Sequence, residues 1–376
     1  MLAHLSDPHL GPLPRPGMRE LASKRLIGYI NWRRSRHRIH RRDALDAITH
    51  DLHSEQPDHV AITGDLVNIA LPAEFALARR WLETLGRPAD VSVVPGNHDA
   101  YVAAAGFHRD RHWSPYMAGD DAPGPAPSPQ EYGQTHMATL PWRGRVGSPL
   151  GDPGWGAPLP IPPPHAGEGR EGAEALSPPP GPLKRADLPP PGGGNPHAIG
   201  LPQKGGENIL FPYLRRRGPV ALIGLSTAIA TPPFMATGRL GEPQIARMVE
   251  MLDASRTVFR VVMIHHPPID AAYHKRLIDA AGFQQAIAAV GAELIIHGHD
   301  HAQALAWLAG NDGRVPVLGV PSASVCAGAK HAGAYNLYRI DGGPGGWRCE
   351  VVTRGLRPSG AVAELSRRAL SWSGNQ

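Results

Sequence analysis

His59-Val60-Ala61-Ile62-Thr63-Gly64-Asp65-Leu66-Val67-Asn68 is a short apolar run that breaks into a polar turn. The same layout recurs along the chain. Residues 1–6 run into Asp7-Pro8-His9, and residues 91–94 into Gly96-Asn97-His98-Asp99. Residues 258–264 run into His265-His266-Pro267, and residues 294–296 into Gly298-His299-Asp300-His301. Runs this short, rich in valine and isoleucine and closed by turn residues, predict strands. Between them, Leu45, Ile48 and Leu52 mark one helical face, and Phe75, Ala78, Leu82 and Leu85 another. Residues 220–223 read as a further strand; Ile245, Met248 and Leu252 stripe a helix, and 277–290 form one more. Strand and helix in alternation predict a layered α/β domain whose reactive groups gather at the carboxyl ends of the strands.

The last 70 residues change character. Stretches 304–308, 315–320, 335–340 and 347–352 read as strands, joined as hairpins at Asn311-Asp312-Gly313 and Asp341-Gly342-Gly343. They predict a second sheet packed face to face on the first. Residues 119–206 hold 21 of the 41 prolines and 18 of the 44 glycines, with no apolar periodicity. Such a segment buries little apolar surface and lacks backbone donors, so it reads as a disordered surface insertion, with a polyproline ligand as the functional alternative. The expected organisation is one domain in two parts, 1–118 and 207–376, interrupted by the insertion 119–206.

A formal charge of +5 over 376 residues is modest, but it is unevenly spread. Two cysteines, Cys326 and Cys349, form neither a CxxC pair nor a disulfide framework, which suits a reducing, cytoplasmic setting. No secretory leader is visible, and the longest apolar stretch, 220–230, is too short to span a bilayer. Met1 falls inside the first strand, so either that strand is short or a few residues precede it.

Singly, each polar cluster is a common turn. Five in order, each after a strand, supply enough imidazoles, carboxylates and one carboxamide for two adjacent metal sites. Mixed nitrogen and oxygen ligands favour Mn, Fe or Zn over calcium and magnesium. A carboxylate at a strand end bridges two ions, and paired ions clamp an in-line displacement at phosphorus. His266 and His297 are expected to point away from the ions, and His4 to be a hydrogen-bonded core residue.

Taken together, Asp7-Pro8-His9-Leu10, Gly64-Asp65-Leu66-Val67-Asn68, Gly96-Asn97-His98-Asp99, His265-His266-Pro267-Pro268 and Gly298-His299-Asp300-His301 resemble the calcineurin-like metallophosphoesterases. The motifs are most similar to those of bacterial cyclic-nucleotide phosphodiesterase-like members. The resemblance covers residues 1–118 and 207–376. It implies a four-layer α-β-β-α sandwich of two mixed sheets. It also implies two divalent or trivalent ions (Mn, Fe or Zn), one held by Asp7, His9, Asp65 and His301. Asp65 would bridge to a second, completed by Asn97, His265 and His299. His98 takes the place of the family's outer histidine, which contacts the phosphate and assists the leaving oxygen. Asn97 and His98 would thus touch substrate. Asn68 stands where the family often has an acid that orients that histidine, and its amide is expected to do so more weakly. The implied activity is hydrolysis of a phosphate mono- or diester by a metal-bound hydroxide.

Residues 15–42 carry ten cationic side chains against Glu20 alone, interleaved with Leu26, Ile27, Tyr29, Ile30 and Trp32. Following the first cluster directly, this segment should rim the site, with Arg33 and Arg34 as candidate substrate contacts. Its amphipathic, basic character fits an anionic membrane surface, such as the inner face of the cell membrane, or the steering of an anionic substrate. The alternative activity is therefore a membrane-associated nucleotide-lipid pyrophosphatase, similar to the UDP-2,3-diacylglucosamine pyrophosphatases. A nuclease would need an accessory nucleic-acid region, and no such signature accompanies the charge. A non-catalytic scaffold fits poorly with a complete ligand set. The sequence says nothing of oligomeric state.

Overall fold

The computed structural model describes residues 1–120, 210–269 and 271–372. The expected insertion, from residue 121 on, lies outside them. The first part of the chain runs β1 (Leu2–Leu5), the short helices α1 (Met18–Leu21), α2 (Arg25–Asn31) and α3 (His37–Ile39), α4 (Arg42–Ser54), β2 (His59–Ile62), α5 (Pro72–Leu85), β3 (Val91–Val93) and α6 (Ala105–Trp113). A π-helical turn, Trp32–Arg36, joins α2 to α3. The second part runs β4 (Tyr213–Arg217), β5 (Val220–Gly224), α7 (Glu242–Asp253), β6 (Phe259–Met263), α8 (Ala280–Val290) and β7 (Leu294–His297). It continues through β8 (Ala304–Gly310), β9 (Gly313–Gly319), β10 (Ala334–Asp341), β11 (Arg348–Leu356) and β12 (Val362–Leu370).

Two six-stranded mixed sheets form, in the orders β12-β11-β10-β1-β2-β3 and β4-β5-β6-β7-β9-β8. The parallel centre of the first is β1-β2-β3, and that of the second is β5-β6-β7-β9. The central strands are buried throughout, and their successive side chains point to opposite faces of the sheet. In β6, Phe259, Val261 and Met263 join the core shared with the first sheet, whereas Val262 packs with Met248, Leu252, Phe283 and Ile287 of α7 and α8. On the far side, α4 and α5 bury Leu45, Ile48, Leu52, Phe75, Ala78 and Leu82 into the first core. Each of the leucine, isoleucine and phenylalanine side chains is worth about 1.5–3 kcal/mol relative to exposure. The four layers expected from the sequence are therefore present.

One expectation fails. The last 70 residues do not build a second sheet of their own. β10, β11 and β12 extend the first sheet by antiparallel pairing of β10 with β1. β8 and β9 extend the second through parallel pairing of β9 with β7. Hairpin turns specify only local partners, while β1 and β7 each still had an edge to satisfy. Two strands also escaped the sequence. β12 is an edge strand with little apolar alternation, and β4 reads Tyr-Leu-Arg-Arg-Arg. In β4 the buried Arg215 donates to the carbonyls of Ala118, Pro88, Val91 and Pro115 at 2.6–2.8 Å, so its charge ties β4 to the loops beside β3. Helix α8 starts at Ala280, because Leu277 pairs instead with Gly238.

His59 in β2 lies buried against the Ser92 hydroxyl at 2.8 Å, and its other nitrogen has no partner. Burial, then Arg217 and Arg215, lowers its pKa to about 3. Unfolding restores a value near 6.5, so the unfolded chain binds the extra proton between those limits. Stability is full above pH 6.5 and falls as the pH drops toward 3, by about 1.4 kcal/mol per unit for this group. Urea midpoints at pH 7 and pH 4.5 should differ less in His59→Gln than in the parent.

Candidate metal centre

The loops that leave the carboxyl ends of β1, β2, β3, β6 and β7 converge, and each carries one of the polar clusters. They are laced together by main-chain bonds. Asp7 N–H donates to Gly64 O (3.0 Å), His9 N–H to Asp65 O (3.1 Å) and Gly298 N–H to His265 O (3.1 Å). The backbone is forced to do this. Asp7, His9, Asp65, His299 and His301 have φ between 37° and 72°, five of the eight such non-glycine residues among those described. That left-handed conformation costs a non-glycine residue roughly 1 kcal/mol or more and clusters at functional sites. Glycines then let the loops touch. A Cβ on Gly96 would stand 2.2 Å from Asp65 Oδ1, and one on Gly298 1.9 Å from Ser6 Oγ.

Two groups of donor atoms result. In the first, His301 Nε2 lies 3.1 Å from Asp7 Oδ1 and 3.3 Å from His9 Nε2, which is 3.9 Å from Asp65 Oδ2. In the second, His265 Nε2 lies 3.2 Å from Asn97 Oδ1, 3.3 Å from His299 Nδ1 and 3.5 Å from Asp65 Oδ2. One carboxylate oxygen belongs to both. The imidazole tautomers are set from outside. His9 Nδ1 donates to Val67 O (3.2 Å) and His265 Nδ1 to Thr63 O (2.6 Å), which turns both Nε2 lone pairs inward. That is the second-layer hydrogen bonding of metal-binding histidines. Lone pairs of His265, Asn97 and Asp65 facing one point repel unless a cation sits among them. Separations of 3.1–3.9 Å are edges of a coordination shell with bonds of about 2.0–2.2 Å. The donor set fits metal ions.

The electrostatics agree. Burial, followed by the charges of Asp7 and Asp99, raises the pKa of Asp65. Burial alone would raise Asp7, but His301, His265 and Ser6 together outweigh it and hold the carboxyl below the usual range. His265 is lowered chiefly by burial and stays neutral, as a ligand must be. Asp99 Oδ2 accepts from Gly96 N–H (2.9 Å) and Oδ1 from Val67 N–H (3.1 Å), joining the β2 and β3 loops.

His98 stands at the mouth of the site with its main-chain N–H on Asp65 Oδ1 (2.7 Å). Its Nδ1 donates to the main-chain carbonyl of Asn68. The expected contact through the Asn68 side chain is absent, because that amide donates to Leu10 O (2.9 Å). The buried Glu74 clamps this loop, accepting from Asn68 N–H at 2.7 Å and Leu71 N–H at 2.8 Å. The proposed substrate contacts Arg33 and Arg34 are exposed. The π-helical turn instead brings in Arg36, whose guanidinium donates to His98 Nε2 and His9 Nε2, both at 2.9 Å. A π turn shifts which side chains face inward, which no helical spacing in the sequence reveals. His299 and His301 do not share a side as an extended segment would place them; their positive φ sends one to each donor group. His266 lies against His299 but spends both nitrogens on Thr227 Oγ1 (2.6 Å) and Ala236 O (3.0 Å). His297 bonds Gly298 O, and His4 bonds Thr63 Oγ1.

Residues 1–150 match the family model of the calcineurin-like phosphoesterases. The match takes in Asp7, His9, Asp65, Asn97 and His98. The fold carries His265, His299 and His301, from beyond it, into the same place. The family match agrees with the expected metal-dependent phosphoesterase. Among curated proteins none matches the chain. Among solved structures, the protein TT1561 of Thermus thermophilus is similar at 11% identity and TM-score 0.40, over 89% of this chain and 92% of that one. The Haemophilus influenzae NAD nucleotidase is similar at 10% identity and TM-score 0.38, over 99% of this chain. This chain spans half of that enzyme's length.

Because the Gly96 Cα faces both Asp65 and His265, Gly96→Ala should push these side chains apart. Metal bound after dialysis, read by elemental analysis, should fall at least about tenfold while the far-ultraviolet dichroism is kept.

Proposed function

We propose that the protein is a phosphoesterase with a dinuclear metal centre. Asp7, His9, Asp65 and His301 hold one ion, and Asp65, Asn97, His265 and His299 hold the other. The observation that carries this reading is Asp65 Oδ2, which faces His9 Nε2 and His265 Nε2 at 3.9 and 3.5 Å. Two ions so held supply Lewis acidity to a phosphoryl oxygen and bring the pKa of water to roughly 7.

The chain's own groups then act on the ester. Arg36 presents a planar, permanently charged fork suited to two phosphate oxygens. Burial and the Arg36 charge hold the His98 imidazole neutral. A phosphate that draws Arg36 away frees His98 Nε2 and places an anion beside it, which favours the protonated ring. With Nδ1 fixed on Asn68 O, that ring can only offer its second proton through Nε2, toward the leaving oxygen. Asn68 supplies a carbonyl where a carboxylate would stabilise the charged ring more. His98 is thus an acid that depends on bound phosphate for its proton.

A second reading is favoured by one surface. Met18, Leu26, Ile27, Ile30 and Ile39 are five of the ten exposed large apolar side chains among the described residues, and the exposed Arg19, Arg33, Arg34 and Arg38 are interspersed with them along the segment. Such a face beside the site fits the headgroup layer of an anionic bilayer and a lipid-linked phosphate ester. Among the described residues, no helix is long and apolar enough to cross a membrane.

Asp65→Asn should abolish hydrolysis of a simple phosphodiester and lower bound metal to one ion or none; parent-like turnover would refute the bridge. In the same assay Arg36→Ala should keep its metal and raise KM about 10–100-fold, the worth of one charge-assisted hydrogen bond. Co-sedimentation with vesicles of anionic phospholipid, but not with neutral phosphatidylcholine, tests the second reading.

A further inference from the structure

His40 is a histidine that neither the motifs nor their spacing single out, yet it lies at the first donor group. It follows α3 directly, in extended backbone (φ −88°, ψ 102°), and pairs by an isolated antiparallel bridge with Val325. Main-chain bonds on both sides fix it: Arg41 N–H donates to Ser324 O (2.8 Å) and Cys326 N–H to Ile39 O (2.9 Å). The loop after β9 thus grips the chain at this one point.

The ring is equally constrained. Nδ1 lies 2.9 Å from Ser324 Oγ and 3.4 Å from Ser322 Oγ. Ser322 has already committed its hydroxyl proton to the carbonyl of Asp7, at 2.6 Å, so toward His40 it can only accept. Nδ1 is thus engaged by serine hydroxyls, and Nε2 is the ring nitrogen left for a ligand role, so the ring is oriented from outside as at His9 and His265. The His40 ring packs edge-on to His9 (centroids 4.5 Å apart) and to His301 (5.6 Å). His9, His40 and His301 bring one nitrogen each within 4.8 Å of one another.

We propose that His40 is an additional ligand of the ion held by Asp7, His9, Asp65 and His301. This rests on the dinuclear reading above and extends it. The shell would contain three imidazoles and two carboxylates. A nitrogen-rich set of that kind leans toward zinc or iron and away from manganese, which prefers oxygen. Ser324, one bond further out, is then a positioning residue for the shell.

The metal-free full-length chain should be titrated calorimetrically with Zn(II) and with Mn(II). The parent should bind two ions, and His40→Ala should weaken one of the two Zn(II) steps by at least about tenfold while leaving the other in place. Ser324→Ala, which keeps the ring but removes the hydroxyl that orients it, should weaken the same step by a smaller factor. The preference for Zn(II) over Mn(II) at that step should shrink in both variants. Superimposable isotherms would overturn the proposal, as would an altered pH profile with unaltered metal binding, since His40 would then serve protons instead. Proton–nitrogen spectra of the parent labelled in its histidines give a reading that needs no variant to fold. Five imidazoles (His9, His40, His265, His299 and His301) should shift on Zn(II) addition, and four shifts without His40 would overturn it. A parent that binds no Zn(II) would instead bring down the dinuclear reading itself.

Discussion

Asp65 is enclosed by protein, spends Oδ1 on the His98 main-chain N–H, and turns Oδ2 toward two imidazole lone pairs. Asp7 is enclosed beside it, and Arg36 is the cationic side chain that reaches the first donor group. Uncompensated, such a cluster is unfavourable, because buried like charges and facing lone pairs repel at low dielectric. Positive φ at five of the candidate ligands adds backbone strain at the same place. A chain that carries this much local cost needs a strong framework around it.

The framework is the pair of parallel strand centres. β1-β2-β3 and β5-β6-β7 each have both faces buried, so their ends are held in register by the apolar layers on either side. Loops at those ends can then be strained without unravelling. Arg215, Glu74 and Asp99 serve the same purpose with polar groups: Arg215 and Asp99 each tie two or more segments together through main-chain atoms, and Glu74 clamps the loop after β2. Rigid loops are what keep donor atoms within a few tenths of an ångström of a coordination shell.

The cap formed by residues 18–39 has a different character. It is short-helical, basic and partly apolar outside, and its one π turn delivers Arg36 inward. The segment thus sends Arg36 to the donor cluster and leaves Arg33, Arg34 and Arg38 exposed. His40, at its end, anchors the cap to the loop after β9 and to the donor cluster together.

Strand positions, helix faces and the five clusters were legible because each depends on local pattern: period-two burial, 3.6-residue stripes and turn residues. The residues of the donor cluster were legible as chemistry, since imidazole, carboxylate and carboxamide groups after strands have few other uses in combination. Sheet membership of β8 to β12 was not, because hairpin turns name a strand's neighbour but not the open edge that receives it. Nor were the inward turn of Arg36, the pairing of His98 with the Asn68 carbonyl, or the place of His40. The first depends on a π turn, the second on bonds that hold the Asn68 amide and main chain elsewhere, and the third on a bridge to a segment nearly 300 residues away. The sequence by itself determined which groups are available and at which strand ends. Only the tertiary structure decided which lone pairs face one another, because that is a property of distances between loops and not of any one of them.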